Sequence, residues 1–141
     1  MRSFLFVPGD STRKFESAKK TAADALILDL EDSIAPDQKV VARGITREML
    51  DARNPEQKLY IRVNALDTDL TLGDLAAVMP GKPDGIVLPK CAGAADVNKL
   101  ALYLDAFEAA SGIAQGTTRI ITVATETARA VLKILDFENM S

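Results

Sequence analysis

Histidine is missing from the chain altogether, and cysteine occurs once, at Cys91. Without histidine these residues form no Ser-His-Asp triad, no His-ligated zinc site and no proximal haem ligand. One cysteine allows no internal disulfide and no thiolate metal cluster. Tryptophan is absent and aromatic residues make up only 5% of the chain, so aliphatic and alanine side chains must fill the interior. No apolar run approaches the about 20 residues that cross a bilayer. The longest, such as residues 25–28 and 86–89, are the size of strands. At the start a single cation, Arg2, is followed by Asp10 and a charged stretch, which reads as no secretory signal. The expected setting is cytoplasmic.

What is present fits one globular core: 141 residues, 48% apolar and 26% charged, too few for two ordinary domains. The formal net charge is −3. A mildly acidic chain has no electrostatic reason to seek nucleic acid or an anionic membrane.

Short aliphatic runs alternate with amphipathic stretches. Strands are expected at residues 4–8, 25–30, 58–64, 84–90 and 119–125. The first is followed by a helix over 12–23, capped by Asp10 or Ser11, with Phe15, Ala18 and Ala22 on its apolar stripe. Pro36 suits the start of a second helix, in which Val41, Ile45 and Met49 recur up to the Asn54-Pro55 break. Thr71 and Asp74 read as a capping box for a short third helix. The fourth is the clearest, with Val97, Leu100, Ala101, Leu104 and Phe107 on one face and Gly112 as its stop. A last helix carries Ala128, Val131, Leu132 and Leu135 and runs toward Ser141 without a clear cap.

Each crossover is long enough to bring the next strand back parallel. Two architectures fit: an open doubly wound sheet, or the first five β–α units of a (β/α)8 TIM barrel, a fold of about 250 residues. The polar residues favour the barrel. Every strand ends in groups that are costly to bury: Pro8-Gly9-Asp10-Ser11, then Asp29-Leu30-Glu31-Asp32, then Arg62 and Asn64, then Lys90, then Glu126. Side chains alternate along a strand, so Asp29 and Glu31 share a face, as do Arg62 and Asn64. In a closed sheet these groups converge at the upper rim, where barrel enzymes keep their chemistry. In an open sheet, ligands bind at a single crevice where the strand order reverses.

Clustered carboxylates without histidine or cysteine make oxygen ligands suited to Mg²⁺ or Mn²⁺. The rigid fork of Arg62 suits a planar carboxylate. Together the groups describe a site for a small carboxylated substrate whose oxygens also meet a hard divalent cation. Each residue has a plainer reading beside the functional one. Asp29 could brace its loop, Glu31 and Asp32 could form a solvated turn, and Arg62 could make a structural ion pair. Lys90 could neutralise the same carboxylates, and Glu126 could open the last helix. Arg13 and Lys14, near a helix start that could receive a phosphate, read equally well as solvated surface. Cys91 reads as inert.

Five motifs in order carry a resemblance: Arg2-Ser3-Phe4-Leu5-Phe6-Val7-Pro8-Gly9, Asp29-Leu30-Glu31-Asp32-Ser33, Arg62-Val63-Asn64, Asp84-Gly85-Ile86-Val87-Leu88-Pro89-Lys90 and Glu126-Thr127. They closely resemble the HpcH/HpaI aldolase and citrate lyase family, nearest to the citrate lyase β-subunit and the malyl-, citramalyl- and β-methylmalyl-CoA lyases. The resemblance implies a (β/α)8 barrel of about twice this length, of which residues 1–141 are the truncated N-terminal part of one lyase domain. It also implies assembly as trimers or hexamers when full length.

The implied reaction is Mg²⁺-dependent cleavage of a 3-hydroxyacyl thioester, carried on CoA or an acyl carrier protein, into a keto acid and an acyl thioester. Carried over by motif, Glu126 resembles the first carboxylate ligand of Mg²⁺, and the second, an aspartate, falls beyond Ser141. Arg62 resembles the arginine that holds the keto-acid carboxylate. Glu31 and Asp32 match the acidic motif beside the metal, and Lys90 matches the Pro-Lys at the rim. Pro8, Gly9, Arg13 and Lys14 resemble the region that meets the CoA phosphates. No residue is assigned as general acid or base. The alternative is a non-catalytic thioester-binding fragment or subunit. A nucleotide-binding open α/β domain is a third reading, but no Gly-rich fingerprint supports it.

Overall fold

Residues 1–138 are described by a computed structural model. The aliphatic runs form strands β1 (Phe4–Pro8), β2 (Ala25–Asp29), β3 (Lys58–Arg62), β4 (Gly85–Leu88) and β5 (Arg119–Thr122). Between and after them lie helices α1 (Thr12–Ala18), α2 (Lys39–Asp51), α3 (Thr71–Val78), α4 (Ala94–Ala110) and α5 (Ala128–Leu132). All strand pairs are parallel, and the order across the sheet is the order along the chain, β1-β2-β3-β4-β5.

That order separates the two architectures, because a doubly wound sheet reverses direction at a switch point and this one never does. One set of alternating residues, including Val7, Leu26, Leu28, Ile61, Ile86 and Leu88, packs with Phe15, Leu50, Leu75 and Leu100 of the helices in the main core. The opposite set, Ala25, Ile27, Tyr60 and Val87, forms a separate small cluster with Ile121 and Val123 against it. Helices thus cover one face, and the other is the inner wall of a partial, unclosed (β/α) barrel. Among the described residues β1 and β5 each pair on one side only. On the β1 side of that wall Phe4 and Phe6 stay 43% and 49% exposed. Phe4 meets Tyr60 edge-on at 5.8 Å.

Several local expectations change. Helix α1 stops at Ala18, because Lys20 and Thr21 turn back with i→i−3 bonds to Ser17 and Ala18, and Ala22 is left exposed. Val41 is exposed too, and Ala42, Thr46, Met49 and Leu50 form the buried face of α2. Thr71 and Asp74 make no capping box. The Thr71 hydroxyl donates to the carbonyls of Asn64 and Ala65, and Asp74 is buried against Arg43 and Asn64. In α5 only Ala130 is buried; Val131, Leu132 and the following Leu135 point outward. The uncapped end read at Ser141 lies outside the described residues. The strongest helix on paper, α4, packs as expected through Leu100 and Leu104, with Val97 and Phe107 half-buried. No helix among the described residues is long and apolar enough to cross a membrane.

Glu108, at 1% exposure, organises the loop between α4 and β5. Its two oxygens accept the backbone N–H groups of Thr118 at 2.7 Å and Gly116 at 2.6 Å. Burial pushes its pKa up, but the hydrogen bonds from Thr118 and Gly116 outweigh that and hold it below the usual 4.5. A carboxylate with a depressed folded pKa stabilises above its ordinary value, and the stabilisation is lost as pH falls through the folded one. Glu108→Gln should lower the unfolding free energy by about 1–3 kcal/mol at pH 7 in urea titrations. The two proteins should converge as pH drops below 4.5; equal stability at pH 7 would contradict this.

Candidate active site

Register places the site. Asp29 closes β2 directly opposite Arg62, which closes β3. Both side chains alternate onto the inner wall, away from the helices. The Asp29 carboxylate, 2% exposed, takes the guanidinium edge-on: Arg62 Nε donates to Oδ1 at 2.7 Å and Nη2 to Oδ2 at 2.8 Å. The same oxygens accept the backbone N–H groups of Glu31 at 2.9 Å and Ser33 at 3.1 Å. Asp29 therefore holds both the arginine and the turn that carries Glu31 and Asp32. Burial alone pushes the Asp29 pKa up, but the bonds from Arg62, Ser33 and Glu31 outweigh it and leave the carboxyl below the ordinary range. Asp29 in turn raises the pKa of Arg62.

The remaining nitrogen of Arg62 faces the acidic turn. Nη1 stands 3.3 Å from Glu31 Oε2 and 3.6 Å from Asp32 Oδ2, and the Phe6 ring lies 4.8 Å from the guanidinium carbon. Lys90 Nζ approaches the other oxygen of Glu31 at 2.8 Å, which raises the lysine's pKa. Lys90 sits in the left-handed region at φ 51°, an uncommon place for a non-glycine residue and one that concentrates at functional sites. In that conformation its backbone N–H donates to Glu126 Oε2 at 2.6 Å. One residue thus ties the acid after β2 to the acid after β5.

Glu31, Asp32 and Glu126 each offer a carboxylate oxygen, and these oxygens lie within 4.8 Å of one another. Both oxygens of Glu31 are buried, and each is met by a cation: Oε1 by Lys90 Nζ at 2.8 Å and Oε2 by Arg62 Nη1 at 3.3 Å. Counting Asp29, four carboxylates face three cations, Arg62, Lys90 and Lys39, which leaves a net negative charge that favours a bound cation. An oxygen-only donor set of this kind suits Mg²⁺. A cavity of ≈320 Å³ borders the Glu31 and Asp32 side of the cluster, with Lys39, Asn64 and Lys90 also in its wall and Glu126 and Arg62 outside it. That is room for a small organic acid.

The structure sorts the remaining sequence candidates. Asn64 borders that cavity, but its amide nitrogen is committed to structural partners. It lies beyond the end of β3, where strand alternation no longer holds, and its amide nitrogen donates to Leu30 O and Asp74 Oδ2. Gly9 is buried and its N–H bonds to Asp29 O at 2.8 Å; a Cβ there would stand 2.7 Å from that same oxygen. Gly9 therefore lets the β1 loop pass close to β2, and its N–H is not free for a ligand. Pro8, Arg13 and Lys14 line a groove of ≈460 Å³ beside β1, with both basic residues exposed and outside the carboxylate cluster. Burial raises the pKa of the Cys91 thiol, consistent with an inert residue.

Sequence reasoning missed Lys39. Its ammonium donates to the carbonyls of Leu30, at 2.8 Å, and Glu31, bracing the acidic turn from outside the strands. A signal existed. Lys39 is the first residue of α2, where a cation opposes the helix dipole and so needs another reason to be there.

Comparison with known proteins identifies the family. The HpcH/HpaI aldolase/citrate lyase family matches residues 2–138. A (3S)-malyl-CoA thioesterase of Cereibacter sphaeroides is 42% identical over 101 residues, 71% of this chain and 35% of that protein. Citrate lyase subunit beta of Escherichia coli is 37% identical over 123 residues, 85% of this chain and 40% of that protein. A solved citrate lyase beta subunit from M. tuberculosis, complexed with oxaloacetate and magnesium, superimposes with a TM-score of 0.73 at 31% identity. That match covers 96% of this chain and 52% of the other, so the chain spans about half the length of the solved relative. Fold, motif order and the match over residues 2–138 agree: the chain belongs to the HpcH/HpaI aldolase/citrate lyase family.

Proposed function

We propose that this chain supplies the metal- and carboxylate-binding part of a Mg²⁺-dependent carbon–carbon lyase site for a 3-hydroxyacyl thioester. The observation that carries the reading is the convergence of Glu31, Asp32 and Glu126, three acids whose carboxylate oxygens lie within 4.8 Å of one another, with Glu31 buried among them. The relative solved with oxaloacetate and magnesium supports both the ion and the keto-acid class. The malyl-CoA and citrate lyase relatives support a thioester of a hydroxy acid.

In this reading Glu31, Asp32 and Glu126 hold the ion, which when bound supplies a Lewis acid for oxygen that gains negative charge during cleavage. Arg62 presents Nη1 to the substrate carboxylate while Asp29 keeps the rest of the guanidinium still. With the Nε/Nη2 edge taken by Asp29, the end-on edge that includes Nη1 is the one left for the substrate. Lys90 offsets the charge of Glu31 and fixes Glu126 through its backbone. Arg13 and Lys14, exposed beside β1, are the groups proposed to meet the phosphates of CoA or of an acyl carrier protein. No described residue is assigned the proton transfer that the thioester fragment needs.

One observation favours binding without turnover for these residues by themselves. Among the described residues the inner wall is open along β1 and β5, so water reaches the place where an enolate would form. The reading is therefore of a residue set that holds ion and substrate, within a lyase domain whose turnover, trimeric or hexameric assembly and carrier are parts of the same proposal.

Mg²⁺ titration by calorimetry should show one site, and Glu126→Gln or Glu31→Gln should each weaken it by about tenfold or more, as expected when one carboxylate ligand loses its charge. Equal affinity in both variants would remove them from the ligand set. Arg62→Ala is a poor probe, because it strands the buried Asp29 charge at a cost of about 3–5 kcal/mol. Arg62→Lys keeps the charge and loses the fork. In a catalytically competent protein it should lower kcat/KM for citryl-, malyl- or citramalyl-thioester by about 10²–10³. An unchanged value with the preferred substrate would rule out the proposed contact.

A further inference from the structure

The bond geometry around Arg62 gives Asp29 a task beyond bracing a loop. Two of the three guanidinium nitrogens, Nε and Nη2, are held by Asp29 at 2.7 and 2.8 Å. The third, Nη1, reaches Glu31 and Asp32 only at 3.3 and 3.6 Å. One face of the guanidinium is taken by the Phe6 ring at 4.8 Å. If Asp29 lost its charge, the arginine's strongest remaining attraction would be toward Glu31 and Asp32. There it would shorten the contacts to their carboxylate oxygens, which Asp29 now holds at 3.3 and 3.6 Å, into a close ion pair. A guanidinium paired edge-on with those oxygens would occupy the positions, and neutralise the charge, that a divalent cation needs.

We infer that Asp29 is a positioning residue that keeps Arg62 from closing onto the cation-binding carboxylates, so that one carboxylate protects the metal affinity of two others. The inference rests on the reading of Glu31, Asp32 and Glu126 as the ion's ligands. It differs from a bracing role in its consequence. A brace acts on the turn alone, whereas a positioning carboxylate acts through the arginine, and removing the arginine should then restore what removing Asp29 destroys.

A double-mutant cycle on Mg²⁺ affinity, measured by calorimetry, separates the two. Asp29→Asn should weaken Mg²⁺ binding on the order of tenfold, the size of coupling seen between contacting charged groups. Arg62→Gln in the native background removes a nearby cation and should tighten binding slightly, read on protein that circular dichroism shows to be folded, because it too leaves the Asp29 charge without its partner. In the Asp29→Asn background it should recover most of the lost affinity, and the double variant carries no uncompensated buried charge from this pair. Additive effects, or native affinity in Asp29→Asn, would overturn the inference while leaving the metal site standing. No Mg²⁺ binding by the native protein would instead overturn the function on which it rests. Should Asp29→Asn fail to fold, the native protein still answers through NMR. The Arg62 Nε–H proton should resist solvent exchange equally with and without Mg²⁺. Fast exchange without the ion would show that Asp29 does not hold the arginine, and would overturn the inference.

Discussion

The buried pair between Asp29 and Arg62 is the contact on which the rest of the site depends. It joins the ends of two neighbouring strands, fixes the direction in which a guanidinium points, and closes the turn that carries Glu31 and Asp32. A buried ion pair is seldom a net source of stability, since desolvation offsets much of the Coulomb attraction. Its value here is orientation. Four hydrogen bonds to one carboxylate leave little freedom in the position of Glu31, Asp32 or the remaining nitrogen of Arg62.

A second constraint comes from β4. Lys90 adopts a left-handed backbone and thereby points its N–H at Glu126 while its ammonium reaches Glu31. Outer supports then hold the acidic turn: Lys39 from the first residue of α2, and Asn64, itself fixed by Asp74. Rigid groups arranged in this way need little reorganisation when charge develops nearby. Because the strands run in sequential order around a partial barrel, groups from β2, β3, β4 and β5 reach one rim.

Much of this was legible in the sequence, and the reasons are physical. Strands separated by amphipathic stretches show as aliphatic runs, and the polar residues that end them mark the rim without any knowledge of pairing. Glu31, Asp32, Lys90 and Glu126 were visible for that reason. Which charge meets which was not visible. The partnership of Asp29 with Arg62 depends on register between strands far apart in sequence, and that of Asp74 with Asn64 on how α3 docks. The fork of Arg62 thus looked free for a substrate when it was already held. The apolar residues of α5 misled in another way. Periodicity marks a face that prefers burial, and Val131 and Leu132 have that character although no described residue covers them. Arg13 and Lys14 remain where pattern alone left them, exposed cations whose ligand the fold does not show.

The most direct test is anomalous diffraction from crystals soaked in Mn²⁺, a surrogate for Mg²⁺ with the same preference for oxygen ligands. A single strong peak between the Glu31, Asp32 and Glu126 carboxylates, with Arg62 still held by Asp29, is the predicted result. Manganese bound elsewhere, or Arg62 turned onto Glu31 with no metal beside it, would contradict the account.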